Sequence, residues 1–211
     1  NSLVAADVAG WLANGGEASA TLVASVIWAP FALMFVASLA VRMALAVPIE
    51  QRANWVFRMT EQDEARADQL EAAVHTVRRL GTTSPLLLMA PLEWLVLGRD
   101  AIGVVVVALL CGWLLVEILM KDWARIPFTC SYIPGKGFVP QTILTGLASF
   151  VTFTTAGAVL ARFTLTGHPV SFALNAILFA AVLALRRHRL NRWKDTPLAF
   201  EDQLPTEVNP L

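Results

Sequence analysis

The sequence predicts an all-α, polytopic membrane protein with about five transmembrane helices, of which the second is short and interrupted by proline. Composition is the first reason: 56% of the 211 residues are apolar, only 15% are charged, and the mean hydropathy is +0.61. These values lie outside the usual range of water-soluble domains. The second reason is that long apolar runs recur along the chain. In hydrocarbon such runs must form helices to satisfy their own backbone hydrogen bonds.

Four of these runs are clear spans, since crossing a bilayer takes roughly 20 helical residues. Residues 19–46 form the first, with a kink expected at Pro30, where the ring displaces a backbone hydrogen bond. The other three are residues 101–120, 138–161 and 169–185. Residues 1–18 are expected to be an external segment. They lack the pattern of a signal peptide, which suggests a processed chain or part of a longer one.

The run at residues 84–98 is ambiguous, because it is short and contains two prolines and Glu93. It either crosses as a thin span or enters the membrane and returns. Cytoplasmic loops near span ends collect Lys and Arg. If the run crosses, fourteen of the sixteen Lys and Arg residues lie on one side and only Arg99 and Arg162 on the other; if it returns, the division is eight and eight. The asymmetry favours five spans, with the N-terminus outside and the C-terminus cytoplasmic.

A helical arm at residues 47–82 is predicted on the cytoplasmic side. It contains an interfacial helix that carries Trp55, followed by an amphipathic helix that ends before Gly81. The second helix has a narrow apolar stripe of Leu70, Val74 and Val77. This stripe either packs on the protein's own bundle or docks another subunit.

The remaining bundle, residues 83–185, contains a second cytoplasmic segment, and the C-terminal tail that follows the bundle is a third. The loop at residues 121–137 contains two X-Pro pairs and a Pro-Gly turn, and it lacks the glycine and hydroxyl positions of a phosphate-binding loop. Its predicted partner contacts are Phe128, Tyr132 and Lys136. The tail, residues 186–211, opens with a basic cluster that is expected to bind anionic lipid head groups. Its members are Arg186, Arg187, Arg189 and Arg192.

Polar side chains at membrane depth are candidates for a functional site, because burying them in hydrocarbon is costly. Glu117 lies four residues before Lys121, and an ion pair between them at the head groups is expected. Glu93 lies deeper, and two interpretations stay open: pairing with Arg99, or contact with a proton or a cationic substrate. Residues at comparable depth on other spans are Asn175, Thr152 and Thr155. These either join Glu93 in a polar pocket or form hydrogen bonds between helices.

Several chemical classes are excluded or disfavoured. The sixteen Lys and Arg residues balance sixteen Asp and Glu residues, so no basic field exists for nucleic acid. No histidine lies in a predicted membrane interior, which argues against an internal haem; His168, at the outer end of the last span, is an outside candidate for a pigment metal or an ion. Cys111 and Cys130 are expected to be unpaired thiols. No nucleophile has a nearby base, so enzymatic chemistry is not expected.

The chain contains a pair of distinctive segments: PIEQRANWVFRMTE at residues 48–61 and WARIPFTCSYIPGK at residues 123–136. As a pair they resemble segments of uncharacterised bacterial multi-pass membrane proteins, some of them loosely labelled permease-like. The resemblance covers about 28 residues and includes no known active site. It implies a bacterial inner membrane, and it assigns no chemistry.

Three functions follow as hypotheses. The first is a non-catalytic subunit of a larger membrane complex, whose spans pack against neighbouring subunits and contact lipid or pigment. The second is a permease-like component of a transporter, with a cytoplasmic docking surface and a broken short span along the substrate path. The third, a membrane-embedded enzyme that uses Glu93 or His168, is the least supported of them.

Overall fold

The computed structural model describes residues 19–46, 66–123, 139–167 and 169–195, and all regular structure in these ranges is helical. Its α-helices are α1 Ala20–Ala46, α2 Arg66–Val77, α3 Ser84–Leu97, α4 Ala101–Leu119, α5 Val139–Leu165 and α6 Pro169–Asp195. A π-helical turn, Arg78–Thr83, joins α2 to α3, and a 3-10 turn, Gly98–Asp100, joins α3 to α4. The predicted all-α class is confirmed for the described residues.

Four segments are long and apolar enough to cross a membrane: Ala20–Ala46, Asp68–Leu119, Ile143–Leu165 and Pro169–Trp193. The second segment has 52 residues and contains both α3 and α4. The structure therefore confirms four membrane-compatible segments, whereas a fifth span and the cytoplasmic arm are not established by this criterion. α1 continues as one helix through the buried Pro30.

The chain between α2 and α3 stays helical where the sequence predicts a helix end at Gly81. Three hydroxyl groups accommodate the wider turn by donating to carbonyls of the preceding turn. Thr82 Oγ1 lies 2.5 Å from the Arg78 carbonyl oxygen, and Thr83 Oγ1 lies 3.3 Å from the same atom. Ser84 donates through both its backbone N–H and its Oγ to the carbonyl of Arg79, five residues back. That spacing defines a π-helical turn.

Two apolar clusters show how the helices run. The Trp cluster joins the last turns of α1 and α4 to α2 and to the end of α6; its buried members are Leu45, Leu70, Ala73, Val74, Val77, Val116, Met120, Trp123 and Trp193. The Phe31 cluster joins the first half of α1 to α3, α4 and α5; its buried members are Ile27, Phe31, Met34, Leu86, Val104, Val107, Ala108, Cys111 and Ala161. Successive helical stretches therefore run antiparallel.

The bundle accordingly has two ends, which we name by their contents. The Trp end contains the Trp cluster. The turn end contains the tight turns at Gly98 and Gly167, whose φ angles of 60° and 66° suit glycine because it has no Cβ to clash. A Cβ at Gly103 on α4 would lie 3.1 Å from the Thr164 side chain, which places the end of α5 at the turn end as well.

Helix α4 is the centre of the bundle, with α1, α3, α5 and α6 packed around it. Aromatic contacts secure α1 to α5: the ring centroids of Phe35 and Phe150 are 5.4 Å apart in an edge arrangement. By contrast, only 11% of the apolar window of α5, and 11% of that of α6, is buried, against 50% for Asp68–Leu119. α5 and α6 therefore present most of their apolar surface outward.

The closest approach between α1 and the π-helical turn depends on Gly81. A Cβ at this position would lie 2.6 Å from Ser38 Cα, a backbone atom that cannot rotate away. We expect Gly81→Ala to separate the two segments and to lower the free energy of unfolding by about 1–3 kcal/mol, the usual cost of overpacking. The measurement is the midpoint of denaturant-induced unfolding in mixed micelles.

Gly146→Ala is the matched control, because Gly146 is also helical but a Cβ there would meet nothing within 4 Å. Alanine is the better helix former by about 1 kcal/mol, so this variant should be neutral or slightly stabilised. Equal destabilisation of both variants would contradict the close packing at Ser38.

Candidate functional site

A buried network of ion pairs lies at the Trp end. Glu117, on the last turn of α4, has a side chain that is 0% exposed. Its carboxylate accepts hydrogen bonds from Arg189 Nε at 2.8 Å, from Arg189 Nη2 at 3.2 Å and from Arg78 Nη2 at 2.6 Å. Both carboxylate oxygens thus accept hydrogen bonds from charged donors, which offset the cost of burying this group.

Glu71 extends this network onto α2. Its carboxylate accepts from Arg189 Nη1 at 3.0 Å and from Arg186 Nη2 at 3.1 Å. Arg189 therefore bridges two carboxylates from two different helices, and its side chain is only 1% exposed. Its guanidinium carbon also lies 4.3 Å from the ring centroid of Trp193. We call Glu71, Arg78, Glu117, Arg186 and Arg189 the ion-pair network.

The ion-pair network corrects the expected pairing of Glu117 with Lys121. Lys121 is exposed, whereas both oxygens of Glu117 point to arginines from other elements. Lys121 lies in the turn after the end of α4. The packing of α6 and of the π-helical turn against α4 instead brings two arginines to the Glu117 carboxylate. Because its carboxylate oxygens are all engaged, the network is suited to fixing helices rather than to binding a ligand.

The four arginines predicted to bind lipid head groups have different surroundings. Arg189 is buried in the ion-pair network, and Arg186 is engaged with Glu71 while remaining partly exposed. Arg192 contacts Asp122 at 2.9 Å, with both side chains about half or more exposed. Arg187 is exposed. Head-group binding thus remains a prediction for the exposed positions, and Arg189 has no surface for it.

The residues predicted to dock a partner fall into two groups, those buried in the bundle and those outside the described residues. Leu70, Val74 and Val77 are buried in the Trp cluster, so this stripe packs on the protein's own bundle and leaves no surface for a partner. Trp123 is buried in the same cluster, and its carbonyl oxygen accepts a hydrogen bond from Trp193 Nε1. The other predicted positions lie outside the described residues: Trp55, Phe128, Tyr132, Lys136 and the candidate ligand His168.

Glu93 is a second buried acid, and its surroundings are the opposite of those of Glu117. The residue is 0% exposed, and within the described ranges neither carboxylate oxygen has a hydrogen-bond partner. Arg99, one of its two expected contacts, lies in the 3-10 turn that follows α3, and its side chain is exposed. Glu93 is thus an isolated carboxyl group inside the helical bundle.

The structure does not bring Thr152, Thr155 and Asn175 together around Glu93. Glu93 lies on α3, which packs on α1 and α4. Thr152 and Thr155 lie on α5 and are exposed, and Asn175 is half-buried on α6. Thr152 instead lines a groove in a different part of the bundle.

This groove has a volume of about 920 Å³ and lies between α1, α4 and α5, with Leu178 of α6 at its edge. Apolar side chains such as Phe35, Leu114 and Ile118 form most of its wall. The wall contributed by α5 includes the apolar Phe153 and Leu160, but most of its residues are small or carry a hydroxyl group, and they recur in helical spacing. They are Thr145, Gly146, Ala148, Ser149, Thr152, Ala156 and Gly157. We call this the α5 groove.

Metal binding has no support among the residues that the structure describes, where no group of three or more His, Cys, Asp or Glu side chains comes together. Cys111 is a free, buried thiol in the Phe31 cluster. The contribution of Glu71, Arg78 and Arg189 to the ion-pair network is not predicted by the local sequence pattern. One signal was available: Glu117 and Arg189 fall at the same end of their predicted spans and carry opposite charges.

Removing Arg189 should be among the most damaging substitutions in the molecule. Arg189→Met leaves Glu117 and Glu71 with fewer donors, and breaking a buried pair in this way costs about 3–5 kcal/mol of stability. Arg187→Met, two residues away on an exposed side chain, should change stability by about 0.5 kcal/mol or less. Unfolding of both variants in mixed micelles tests this, and a loss in Arg189→Met no larger than the control would contradict the bridging role.

Comparison with models of protein families, with curated proteins and with solved structures finds no match to this chain. Three features of the described residues bear on function: the ion-pair network, the isolated Glu93 and the α5 groove.

Proposed function

We propose that the chain is an integral membrane protein with five crossings, its N-terminus outside and its C-terminus in the cytoplasm. The antiparallel order of the helical stretches supports this, because α3 leads from the Trp end to the turn end and α4 returns. Charge supports the orientation. At the turn end the described helices carry Arg99 and Arg162, whereas the Trp end carries Arg42, Arg78, Arg79, Lys121, Arg186, Arg187, Arg189 and Arg192.

Cysteine labelling in intact cells tests this topology. In a background with Cys111→Ala and Cys130→Ala, a membrane-impermeant thiol reagent should label Asp100→Cys and Thr166→Cys, which are exposed at the turn end. Asn191→Cys, exposed at the Trp end, should react only after the membrane is disrupted. The inverted pattern, in which Asn191→Cys reacts in intact cells while Asp100→Cys and Thr166→Cys react only after disruption, is the one expected if α3 does not cross, and it would contradict this topology.

We further propose that the protein is a non-catalytic subunit of a larger complex in a bacterial inner membrane. The observation that carries this is the α5 groove, together with the mostly unburied α5 beside it. Lipid tails gain nothing from hydroxyl groups, whereas helix interfaces in membranes are enriched in small residues and in Ser and Thr. The small residues allow a close backbone approach, and the hydroxyls can bond across the interface. The occupant that suits this wall is a transmembrane helix of another subunit.

Photocrosslinking in cells tests the subunit hypothesis. A photoreactive amino acid at Ser149, in the groove, should give a discrete adduct with one partner chain that also co-purifies in mild detergent. The matched control position is Leu88 on α3, which is 74% exposed and lies outside the groove, and it should give only lipid adducts. Lipid adducts alone at both positions would contradict the hypothesis.

The α5 groove also offers a substitution that should release the partner. Gly146→Leu places a branched side chain on the groove wall, where it would exclude a closely packed helix. We expect co-purification of the crosslinked chain to fall by about tenfold, which corresponds to about 1.4 kcal/mol of binding free energy. Gly146→Ala, which adds a single methyl group, should retain most of the partner.

One observation favours the alternative, a permease-like component of a transporter. The stretch from α2 to α3 is irregular, with a π-helical turn, Pro91 and the buried Glu93 within one helical segment. Irregular helices beside a polar group are common at transporter substrate sites. Reconstitution into lipid vesicles separates the two candidate functions. A transporter component should bind or move a solute, and Glu93→Gln should reduce that binding or transport. A non-catalytic subunit reconstituted alone should do neither.

A further inference from the structure

The face of α3 that carries Glu93 is otherwise apolar. Leu86, seven residues before it, is a buried member of the Phe31 cluster, and Leu97, four residues after it, packs against the same cluster. Spacings of seven and four residues place all three side chains on one helix face. The carboxyl group of Glu93 therefore lies in a row between two leucines, turned toward α1 and α4.

Among the residues that the structure describes, no charged group of a neighbouring element lies beside Glu93. α1 contains one charged residue, Arg42, and α4 contains one, Glu117; both are at the Trp end. In the π-helical turn, the nearer arginine is Arg79, fourteen residues back, which is about 21 Å along a helix. On the other side, Arg99 and Asp100 are exposed at the surface of the 3-10 turn.

These surroundings decide the charge state. An ionised carboxylate without a counter-ion or a hydrogen-bond donor costs many kcal/mol to bury, whereas a neutral carboxylic acid loses far less. Glu117 has the opposite surroundings in the same molecule. It is equally buried, but three arginine N–H groups bond to it.

We infer that Glu93 is an intramembrane proton-binding site: in the resting protein its side chain is a neutral carboxylic acid whose proton exchanges with water. Release breaks the O–H bond, transfers the proton to water and leaves a carboxylate; rebinding reverses this step. The shorter route to water is toward the turn end, because Gly98 and Arg99, five and six residues along, are exposed. That distance is about 9 Å along the helix.

A proton fits this site better than a metal cation. Hard cations require several oxygen ligands, typically six or more for Ca²⁺. Glu93 offers two oxygens on a face shared with leucines, and no group of three acidic, His or Cys side chains forms in the described parts of the chain. A single proton needs one oxygen atom and no further ligands.

Infrared difference spectroscopy of the purified chain in lipid vesicles tests the inference. At neutral pH the wild-type protein should show the carbonyl stretching band of a protonated carboxylic acid, and Glu93→Gln should lack it. Glutamine is nearly the same size, so this variant should keep the fold. The band should move to lower frequency after exchange into D₂O, because the exchangeable proton is bonded to the absorbing group.

Asp100→Asn is the matched control, since Asp100 is an exposed carboxylate on the adjoining turn and its loss should leave the band unchanged. Absence of the band in the wild-type protein would show that Glu93 is ionised and would overturn the inference. A band that does not move in D₂O would show a proton that does not exchange, with the same consequence. Neither result depends on a partner chain, so failure here is distinct from failure of the proposed function.

Discussion

The architecture depends on one guanidinium group. Arg189 of α6 bonds to Glu117 of α4 and to Glu71 of α2, and Glu117 in turn accepts from Arg78 at the start of the π-helical turn. Three helical segments that are distant in sequence are thereby held at one level of the bundle. Each of these charges would be costly to bury alone. The close packing of the three segments is therefore favourable only when all the charged partners are present together.

The sequence predicted the helices well and their partners poorly. Apolar runs of sufficient length located α1, α4, α5 and α6, because helix formation in a low-dielectric environment follows from backbone hydrogen bonding within each segment. Local signals did not predict that the helix continues through Gly81, because a glycine at such a position commonly ends a helix. Here Gly81 instead permits close packing on Ser38. The pairing of Glu117 with Arg78 and Arg189 depends on long-range packing, which periodicity does not contain.

The two buried glutamates illustrate why the site was harder to predict than the fold. The sequence indicates that burying either glutamate is costly. Whether that cost is offset depends on the side chains that other helices place beside each carboxyl group. Glu117 is surrounded by arginine donors, whereas Glu93 is flanked on its own helix face by Leu86 and Leu97. Of the residues predicted to converge on Glu93, Thr152 instead lines the α5 groove, because α5 packs on α1 and α4 away from α3.

The π-helical turn has a structural consequence of its own. A wide turn holds one more residue than an α-helical turn, so it offsets the angular phase of every side chain that follows it along the axis. The hydroxyl groups of Thr82, Thr83 and Ser84 bond to the carbonyls of Arg78 and Arg79 at this turn. The turn therefore sets the angle between the face of α2 that carries Glu71 and the face of α3 that carries Glu93, so an α-helical turn in its place would direct Glu93 away from its present neighbours.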